Sequence, residues 1–241
     1  TSAPYGSGLY NTAVGYEAFE DFTTGQQNTI IGYQAATALT TGNYNVVMGY
    51  AALDTADGGE SNNIAIGTNV MGHINHDDSD HNVAIGDSAL LGGTGTVTKN
   101  VAIGSNAMGT GVSNNNQTGT VAIGYNALYA LSSGNNNTAV GYQAADSVTT
   151  GDRNTIIGYD AGSSLTSGRL NTVLGTDAMN TMTIGERNVA IGNDALTAGV
   201  EDSYNVAIGY EALHDQNGGG SDGVSTATHN TMVGYQAGDT I

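Results

Sequence analysis

The sequence predicts an all-β protein, a parallel β-solenoid (β-roll) of about 13 coils with about 17 residues in each. A glycine preceded by an apolar pair recurs at spacings of 17, 17, 18, 19, 18, 20, 17, 17, 17, 17, 17 and 25 residues. An asparagine stands four positions before that glycine in twelve units, and Thr120 replaces it in the remaining unit. The repeating glycines are Gly15, Gly32, Gly49, Gly67, Gly86, Gly104, Gly124, Gly141, Gly158, Gly175, Gly192, Gly209 and Gly234.

The composition favours a thin core and excludes several classes of partner. The 241 residues include 37 Gly, 2 Phe and no Trp or Cys, whereas Ala, Val and Ile are plentiful. The formal net charge is −18, with only Lys99, Arg153, Arg169 and Arg187 as basic residues. We therefore expect neither a nucleic-acid partner nor insertion into a membrane, because nucleic-acid binding needs clustered basic residues and a spanning helix needs a long apolar run.

Each unit begins with a short strand. Residues 28–32 (Asn-Thr-Ile-Ile-Gly) are rich in β-branched side chains, which favour a strand, and the glycine permits a tight turn after it. We expect the residue directly before the glycine, such as Ile31, to form the interior column. A second apolar cluster follows, such as Ala18, Phe19 and Phe22; its spacing permits a strand or a helical turn, and we favour a strand.

Stacked coils place equivalent residues about 4.8 Å apart. The asparagines then form a structural ladder in which each amide bonds to the coils above and below. The ladder residues include Asn28, Asn45, Asn137, Asn154, Asn171, Asn188 and Asn205. The alanine three positions after the glycine suits a close approach of the opposite wall or of another chain.

The strands carry apolar residues on both faces, as Ala102 and Ile103 illustrate. One face fills the coil, and the other needs cover. Self-association of three copies about a common axis would supply that cover, so we expect a homotrimer. The alternative is a lone solenoid wide enough to need no partner.

We expect one repeat domain over residues 1–241. It comprises regular coils at 9–53 and 120–213, loop-bearing coils at 54–119, a long insertion at 214–229 and a last coil at 230–241. Register is broken by insertions at 54–62, 73–81, 92–99, 109–119 and 214–229. Insertions in repeat proteins map to loops, which are either binding surfaces or simply tolerated.

One insertion carries residues suited to ligand or metal binding. The candidate binding residues are His73, His76, Asp77, Asp78, Asp80 and His81. Imidazole nitrogens of His73, His76 and His81 suit Zn²⁺ or Ni²⁺, and the carboxylates suit Ca²⁺. The spacing matches no standard zinc motif or EF-hand loop, so a solvated polar loop is the alternative, and no cofactor is firmly expected.

Three further patterns give weaker signals. Eight units place Tyr after the glycine, as a carbohydrate-stacking stripe or as a ladder at the coil edge. Residues 218–223 resemble part of a calcium β-roll repeat or form a flexible loop. Catalysis is not expected, because carboxylate pairs such as Glu201 and Asp202 lie in polar loops and no nucleophile elbow or phosphate-binding loop is present.

The phrases Asn-Val-Ala-Ile-Gly (82–86, 188–192, 205–209) and Asn-Asn-Thr-Ala-Val-Gly-Tyr-Gln-Ala (136–144) resemble the head repeats of YadA-type trimeric autotransporter adhesins. Residues 149–162 resemble repeats of phage tail fibres. The resemblance implies a left-handed, trimeric β-roll that is extracellular, on a cell surface or in a virion, and that attaches to a surface or host through a receptor or glycan. The alternative function is a self-assembling filament subunit without a specific receptor; an ice-binding array ranks third.

Overall fold

The structure, a computed structural model, describes residues 8–110, 116–197, 199, 201–214 and 228–238. The predicted fold class is confirmed: three-residue parallel strands stack as a β-solenoid, and successive strands lie about 17 residues apart in the chain. Within these ranges there is no helix, and hence none that could cross a membrane. The chain divides into two compact units, Thr1–Thr120 and Val121–Ile241.

In the described part of the first unit, six strands form a parallel sheet in chain order, with Ile30 opposite Val47 and Ile31 opposite Met48. They are β1 (Thr12–Val14), β2 (Thr29–Ile31), β3 (Val46–Met48), β4 (Ile64–Ile66), β5 (Val83–Ile85) and β7 (Val101–Ile103). Two shorter strands, β6 (Val97–Thr98) and β8 (Gln117–Thr118), pair separately in the longer coils.

In the described part of the second unit, seven strands form a parallel sheet in the same way, with Ile156 opposite both Ala139 and Val173. They are β9 (Val121–Ile123), β10 (Thr138–Val140), β11 (Thr155–Ile157), β12 (Thr172–Leu174), β13 (Val189–Ile191), β14 (Val206–Ile208) and β15 (Thr231–Val233).

The interior column differs from the one expected. The middle residue of the strand is buried, as with Ile30, Val47 and Ala190, whereas the residue before the glycine faces outward and is partly or largely exposed. Strand side chains alternate between faces, so the residue two positions after the buried asparagine must share its inward side. The expectation that the residue before the glycine lies inside was therefore wrong.

The second strand that we favoured is also absent from the regular coils that the structure describes. Its place is taken by a turn in which the second and fourth residues after the glycine have positive φ, such as Gln143 (52°) and Ala145 (55°). Left-handed non-glycine residues are strained. Here the strain is offset because the amide of Gln143 donates to Tyr125 O (2.9 Å) and that of Ala145 to Ala161 O (2.9 Å), in the two neighbouring coils.

In most coils the interior side chains compensate one another in size, with the pairs Val47/Leu53, Ala139/Ala145 and Val173/Met179 as exceptions. Large middle residues face small ones six positions on, as Ile30 faces Ala36 and Ile156 faces Gly162. Small middle residues face large ones, as in the pairs Ala65/Met71, Ala84/Leu90, Ala102/Met108, Ala122/Leu128, Ala190/Leu196 and Ala207/Leu213. A Cβ added at Gly162 would lie only 3.1 Å from Ile156 Cδ1, so the two positions share one volume.

Two separate constraints, the backbone conformation and the close approach of the next coil, require the glycine that ends each strand. At Gly158 φ is +148°, a backbone region that other residues rarely adopt. A Cβ at Gly158 would also overlap the carbonyl of Gly175 in the next coil. Both constraints recur along the column, which explains the regular glycine spacing.

Candidate functional site

The buried asparagines form a hydrogen-bonded column in each unit. Asn171 donates its backbone amide and Nδ2 to Asn154 Oδ1 (3.0 Å each), and Nδ2 also donates to Gly185 O (2.8 Å). The Oδ1 of Asn171 accepts from the amide (3.0 Å) and Nδ2 (3.2 Å) of Asn188. The same pattern joins Asn11, Asn28, Asn45, Asn63, Asn82 and Asn100 in the first unit and Asn137, Asn154, Asn171, Asn188, Asn205 and Asn230 in the second.

These contacts use both Nδ2 hydrogens and place two donors on Oδ1 of Asn171, so the buried amide is fully satisfied. At Thr120 the backbone amide still donates to Asn100 Oδ1 (2.9 Å), which preserves the main-chain link of the column. The column holds coils together and faces the interior. It is therefore a scaffold and offers no surface to a ligand.

The outward face of each sheet carries a column of apolar side chains, which we call the apolar strip. Met48 is 38% exposed in the first unit, and Leu174 is 47% exposed in the second. The strip consists of Val14, Ile31, Met48, Ile66, Ile85 and Ile103 in the first unit, and of Ile123, Val140, Ile157, Leu174, Ile191, Ile208 and Val233 in the second. Contiguous exposed apolar side chains of this kind mark interaction surfaces.

Tyrosines that follow the glycines stack beside the strip. Ring centroids are 5.2 Å apart for Tyr16 and Tyr33 and 5.4 Å apart for Tyr33 and Tyr50. In the second unit, Tyr142 lies 5.3 Å from Tyr125 and 5.2 Å from Tyr159. Because a central ring such as Tyr33 has a neighbour on each face, it presents its edge and hydroxyl to solvent. This geometry favours the edge-ladder interpretation over stacking on sugars.

Carboxylates neighbour several of these hydroxyls. The hydrogen bond of Tyr16 to Glu17 raises the pKa of the tyrosine and lowers that of the glutamate. The hydrogen bond of Tyr210 to Glu211 raises the pKa of that tyrosine, and hydrogen bonds from Gln236 and Tyr210 lower the pKa of Glu211. The charge of Asp160 raises the pKa of Tyr159. Negative charge therefore borders the tyrosine stacks at Tyr16, Tyr159 and Tyr210.

The structure distributes the candidate residues of the 73–81 insertion over its surface. His73, Asp77, Asp78 and His81 are exposed, and His76 and Asp80 are partly buried. Asp80 Oδ1 accepts from the amide of Ser61 (2.6 Å), and His76 Nδ1 accepts from the amide of Asp78 (3.2 Å). Within the described ranges, His73, His76 and His81 do not converge on a common point.

A different set of ligand-type side chains does converge. Among the described residues, one group has potential ligand atoms that all lie within 4.8 Å of one another: Asp57, Glu60 and Asp77, which we call the acidic cluster. Glu60 is buried, and Asp57 and Asp77 are exposed. Burial raises the pKa of Glu60, and the neighbouring charges of Asp77 and Asp57 raise it further.

Our sequence interpretation named Asp77 but missed Asp57 and Glu60. The sequence feature that could have identified Asp57 and Glu60 is the preceding insertion, 54–62. It lies one coil before 73–81 and also carries acidic residues. Residues 111–115 of the 109–119 insertion, most of 214–229 and all of 218–223 lie outside the described residues.

The comparisons with known proteins gave no match. No protein-family model, no curated protein and no solved structure matches the chain. The resemblance to adhesin heads and tail fibres therefore stays a prediction, and the functional interpretation rests on the geometry described above.

Proposed function

We propose that the chain is a structural and adhesive fibre segment, a trimeric β-solenoid of a tail fibre or surface adhesin that mediates attachment to a surface or host. The observation that carries the proposal is the apolar strip on the outward face of each sheet. The β-solenoid fold is consistent with a fibrous structural protein, because repeats that contact only their neighbours build extended scaffolds.

The strip supports self-association because water contact with these side chains is unfavourable. Val, Ile, Leu and Met each contribute about 1.5–3 kcal/mol when fully buried, and the strip repeats such a residue in every coil. A regular strip is complementary to a second copy of itself, and three copies around one axis give a closed assembly. The surrounding net charge of −18 keeps the rest of the surface hydrated.

Cysteine cross-linking tests the trimer directly, since the natural chain has no cysteine. A single cysteine at Leu174, in the strip, should form disulfides between copies under mild oxidation, because the strips face a common axis. Ser133, exposed in a turn, provides the matched control position. A Ser133→Cys variant should stay largely uncross-linked at the same protein concentration.

Equal cross-linking of Leu174→Cys and Ser133→Cys would mean random collision and would contradict the proposed interface. Cross-linked material that grows without limit would favour the alternative function, a filament subunit without a specific receptor.

We place the attachment role on the insertions of the first unit, because loops carried by a rigid scaffold are the usual sites of recognition. The 54–62 and 73–81 insertions project exposed polar and charged side chains, including His73, Asp77 and Asp78. The regular coils offer mainly the apolar strip and the tyrosine stacks. A receptor or glycan on the host surface is the proposed partner.

A glycan array provides the test. The full chain should bind a defined subset of immobilised glycans, and shortening 73–81 to the length of a regular coil should abolish that binding. A variant with 109–119 shortened is the parallel comparison. Undiminished binding by both variants would move the site to the regular coils, and absence of binding by the full chain would remove the evidence for glycan attachment.

A further inference from the structure

Glu60 occupies a position that is glycine in most of the regular coils and Asp202 in one of them. The carbonyl at this position accepts a hydrogen bond from Nδ2 of the ladder asparagine, as Gly42 O accepts from Asn28 and Glu60 O from Asn45 (2.8 Å each). Glycine also accepts at this position in other coils, with Gly25, Gly151, Gly168 and Gly185 as the acceptors.

A side chain at this position points into the coil. A Cβ added at Gly42 would crowd Leu39 Cδ1, an interior side chain. Thr40 Oγ1 donates to Asp57 O (2.9 Å) in the next coil, so Thr40 and Asp57 occupy equivalent positions. The preceding residues are therefore also equivalent, and the smaller, buried Ala56 stacks on Leu39. The coil of Glu60 therefore has room for its carboxylate.

The Glu60 carboxylate is only half satisfied. Its Oε2 accepts from the amide of Gly58 (3.1 Å), whereas its Oε1 is buried without a hydrogen-bond partner, and the residue has 0% relative exposure. An ionised carboxylate in this state is costly unless an opposite charge compensates it.

The surrounding protein supplies more negative charge rather than a cation. Asp57 and Asp77 each bring a carboxylate oxygen within 4.8 Å of that of Glu60. Within the described residues, the ion pairs of arginine involve Asp152 and Glu186 in the second unit, and none reaches these three side chains. Three carboxylates at this separation repel one another.

We propose that Asp57, Glu60 and Asp77 bind one Ca²⁺ ion, which joins the 54–62 and 73–81 insertions of successive coils in the first unit. Calcium binds oxygen ligands at 2.3–2.6 Å, so two ligands on opposite sides of one ion are about 4.6–5.2 Å apart. The ligand atoms of the acidic cluster all lie within 4.8 Å of one another, so no two of them are too far apart to contact the same ion. One ion can therefore contact all three side chains, with water completing the shell.

The main chain around the cluster is shaped for this arrangement. The Asp77 carboxylate packs against Gly58, where any Cβ would overlap Asp77 Oδ1, and the amide of Gly59 donates to the same oxygen (3.3 Å). Ca²⁺ is favoured over Zn²⁺ because all three ligands are carboxylates, and over Mg²⁺ because three protein carboxylates exceed what a largely hydrated Mg²⁺ uses.

Isothermal titration of the chelator-stripped full chain with CaCl₂ provides the test. We expect saturable binding of one Ca²⁺ per chain, at least tenfold weaker in Asp57→Asn and Asp77→Asn. Asp78→Asn, which changes an exposed carboxylate outside the cluster, should bind like the natural chain. Absence of saturable binding, or equal binding by Asp77→Asn and the natural chain, would overturn the proposal.

The thermal stability of Glu60→Gln, compared with and without Ca²⁺, gives a second test that distinguishes an ion ligand from a side chain with only a structural role. The neutral amide removes the buried charge, so in chelator the variant should unfold at a higher Tm than the natural chain. In saturating Ca²⁺ the order should reverse, because only the natural chain gains stability from the ion. A Glu60→Gln variant with the lower Tm in both conditions would contradict the site.

Discussion

At the residue scale, the fold depends on glycine and asparagine positions where other side chains do not fit. Gly158 combines a φ of +148° with contact against the carbonyl of the next coil. Asn171 satisfies its whole amide group within a buried column. Both requirements repeat in most coils, so the spacing of these residues in the sequence reflects the geometry of the stack.

Replacing Gly158 with alanine should destabilise the second unit by about 3 kcal/mol or more, since backbone strain and overpacking each cost about 1–3 kcal/mol. Gly234→Ala is the control, because Gly234 has a similar φ of +139° but its added Cβ meets nothing closer than 3.8 Å. Urea unfolding measures both variants. Equal losses would show that backbone strain, without the contact between coils, determines the effect.

Replacing Asn171 with aspartate should be more damaging than replacing it with alanine. Aspartate keeps the shape but removes both Nδ2 donors and places a charge in the buried column, whereas alanine leaves the Asn188 amide and Gly185 O without their partner at about 1–3 kcal/mol per group. Thermal unfolding compares the two variants with Asn193→Ala at an exposed position. An Asp variant as stable as the natural chain would contradict the ladder geometry.

At the element scale, each regular coil is one short strand closed by a turn, and in most coils the interior residues of strand and turn compensate in size. The strands and their register follow from the glycine spacing, and the sequence analysis predicted them. The inward face of each strand could also have been inferred, because residues two positions apart share a face and the asparagine is buried. The strand residues gave no such signal by themselves, because three consecutive apolar residues such as 189–191 show no alternation of apolar and polar side chains. The turn was mispredicted because left-handed alanine, leucine and glutamine oppose intrinsic backbone preferences and are stabilised only by neighbouring coils.

Size compensation predicts strong coupling between Ile156 and Gly162. Ile156→Ala leaves a cavity and should cost about 2–5 kcal/mol, and Gly162→Leu overfills the coil at about 1–3 kcal/mol. The double variant reproduces the Ala/Leu pair of other coils, such as Ala122 and Leu128, and should lose much less than the two single losses combined. A double-mutant cycle by urea unfolding measures the coupling, and strictly additive losses would refute the shared volume.

The second unit also stacks like charges in successive coils. Burial raises the pKa of Asp160, and the charge of Asp177 in the next coil raises it further. A raised folded-state pKa means that the contribution of Asp160 to stability is present at low pH and is lost as pH rises through that pKa. Asp177→Asn should therefore raise Tm by about 1–2 °C at pH 7, where repulsion is present, and leave it unchanged near pH 3.

Asp87→Asn is the control for this effect, because Asp87 is exposed and lies outside that acidic column. Scanning calorimetry at both pH values measures the two variants. A Tm gain for Asp177→Asn that is as large at pH 3 as at pH 7 would exclude charge repulsion as its origin.

At the scale of the whole molecule, the sequence predicted the scaffold better than the site. The regular columns of glycine and asparagine produce a repeat of about 17 residues that is visible in the sequence. The acidic cluster, in contrast, combines residues from two insertions of different length in successive coils. The histidines of 73–81 were conspicuous because three occur within nine residues, yet the backbone separates them. Only the fold of both insertions together shows that Asp57 and Glu60 meet Asp77.

The central claim is that the apolar strip joins three copies of the chain, and sedimentation equilibrium tests it most directly. The natural chain of 24.3 kDa should sediment as a single species of three chains, about 73 kDa, at micromolar concentration. A chain with Leu174→Glu and Ile123→Glu in the strip should sediment as a monomer, and one with Ser133→Glu as a trimer. A natural chain that sediments at 24.3 kDa, or an assembly that the strip variants leave intact, would contradict the account.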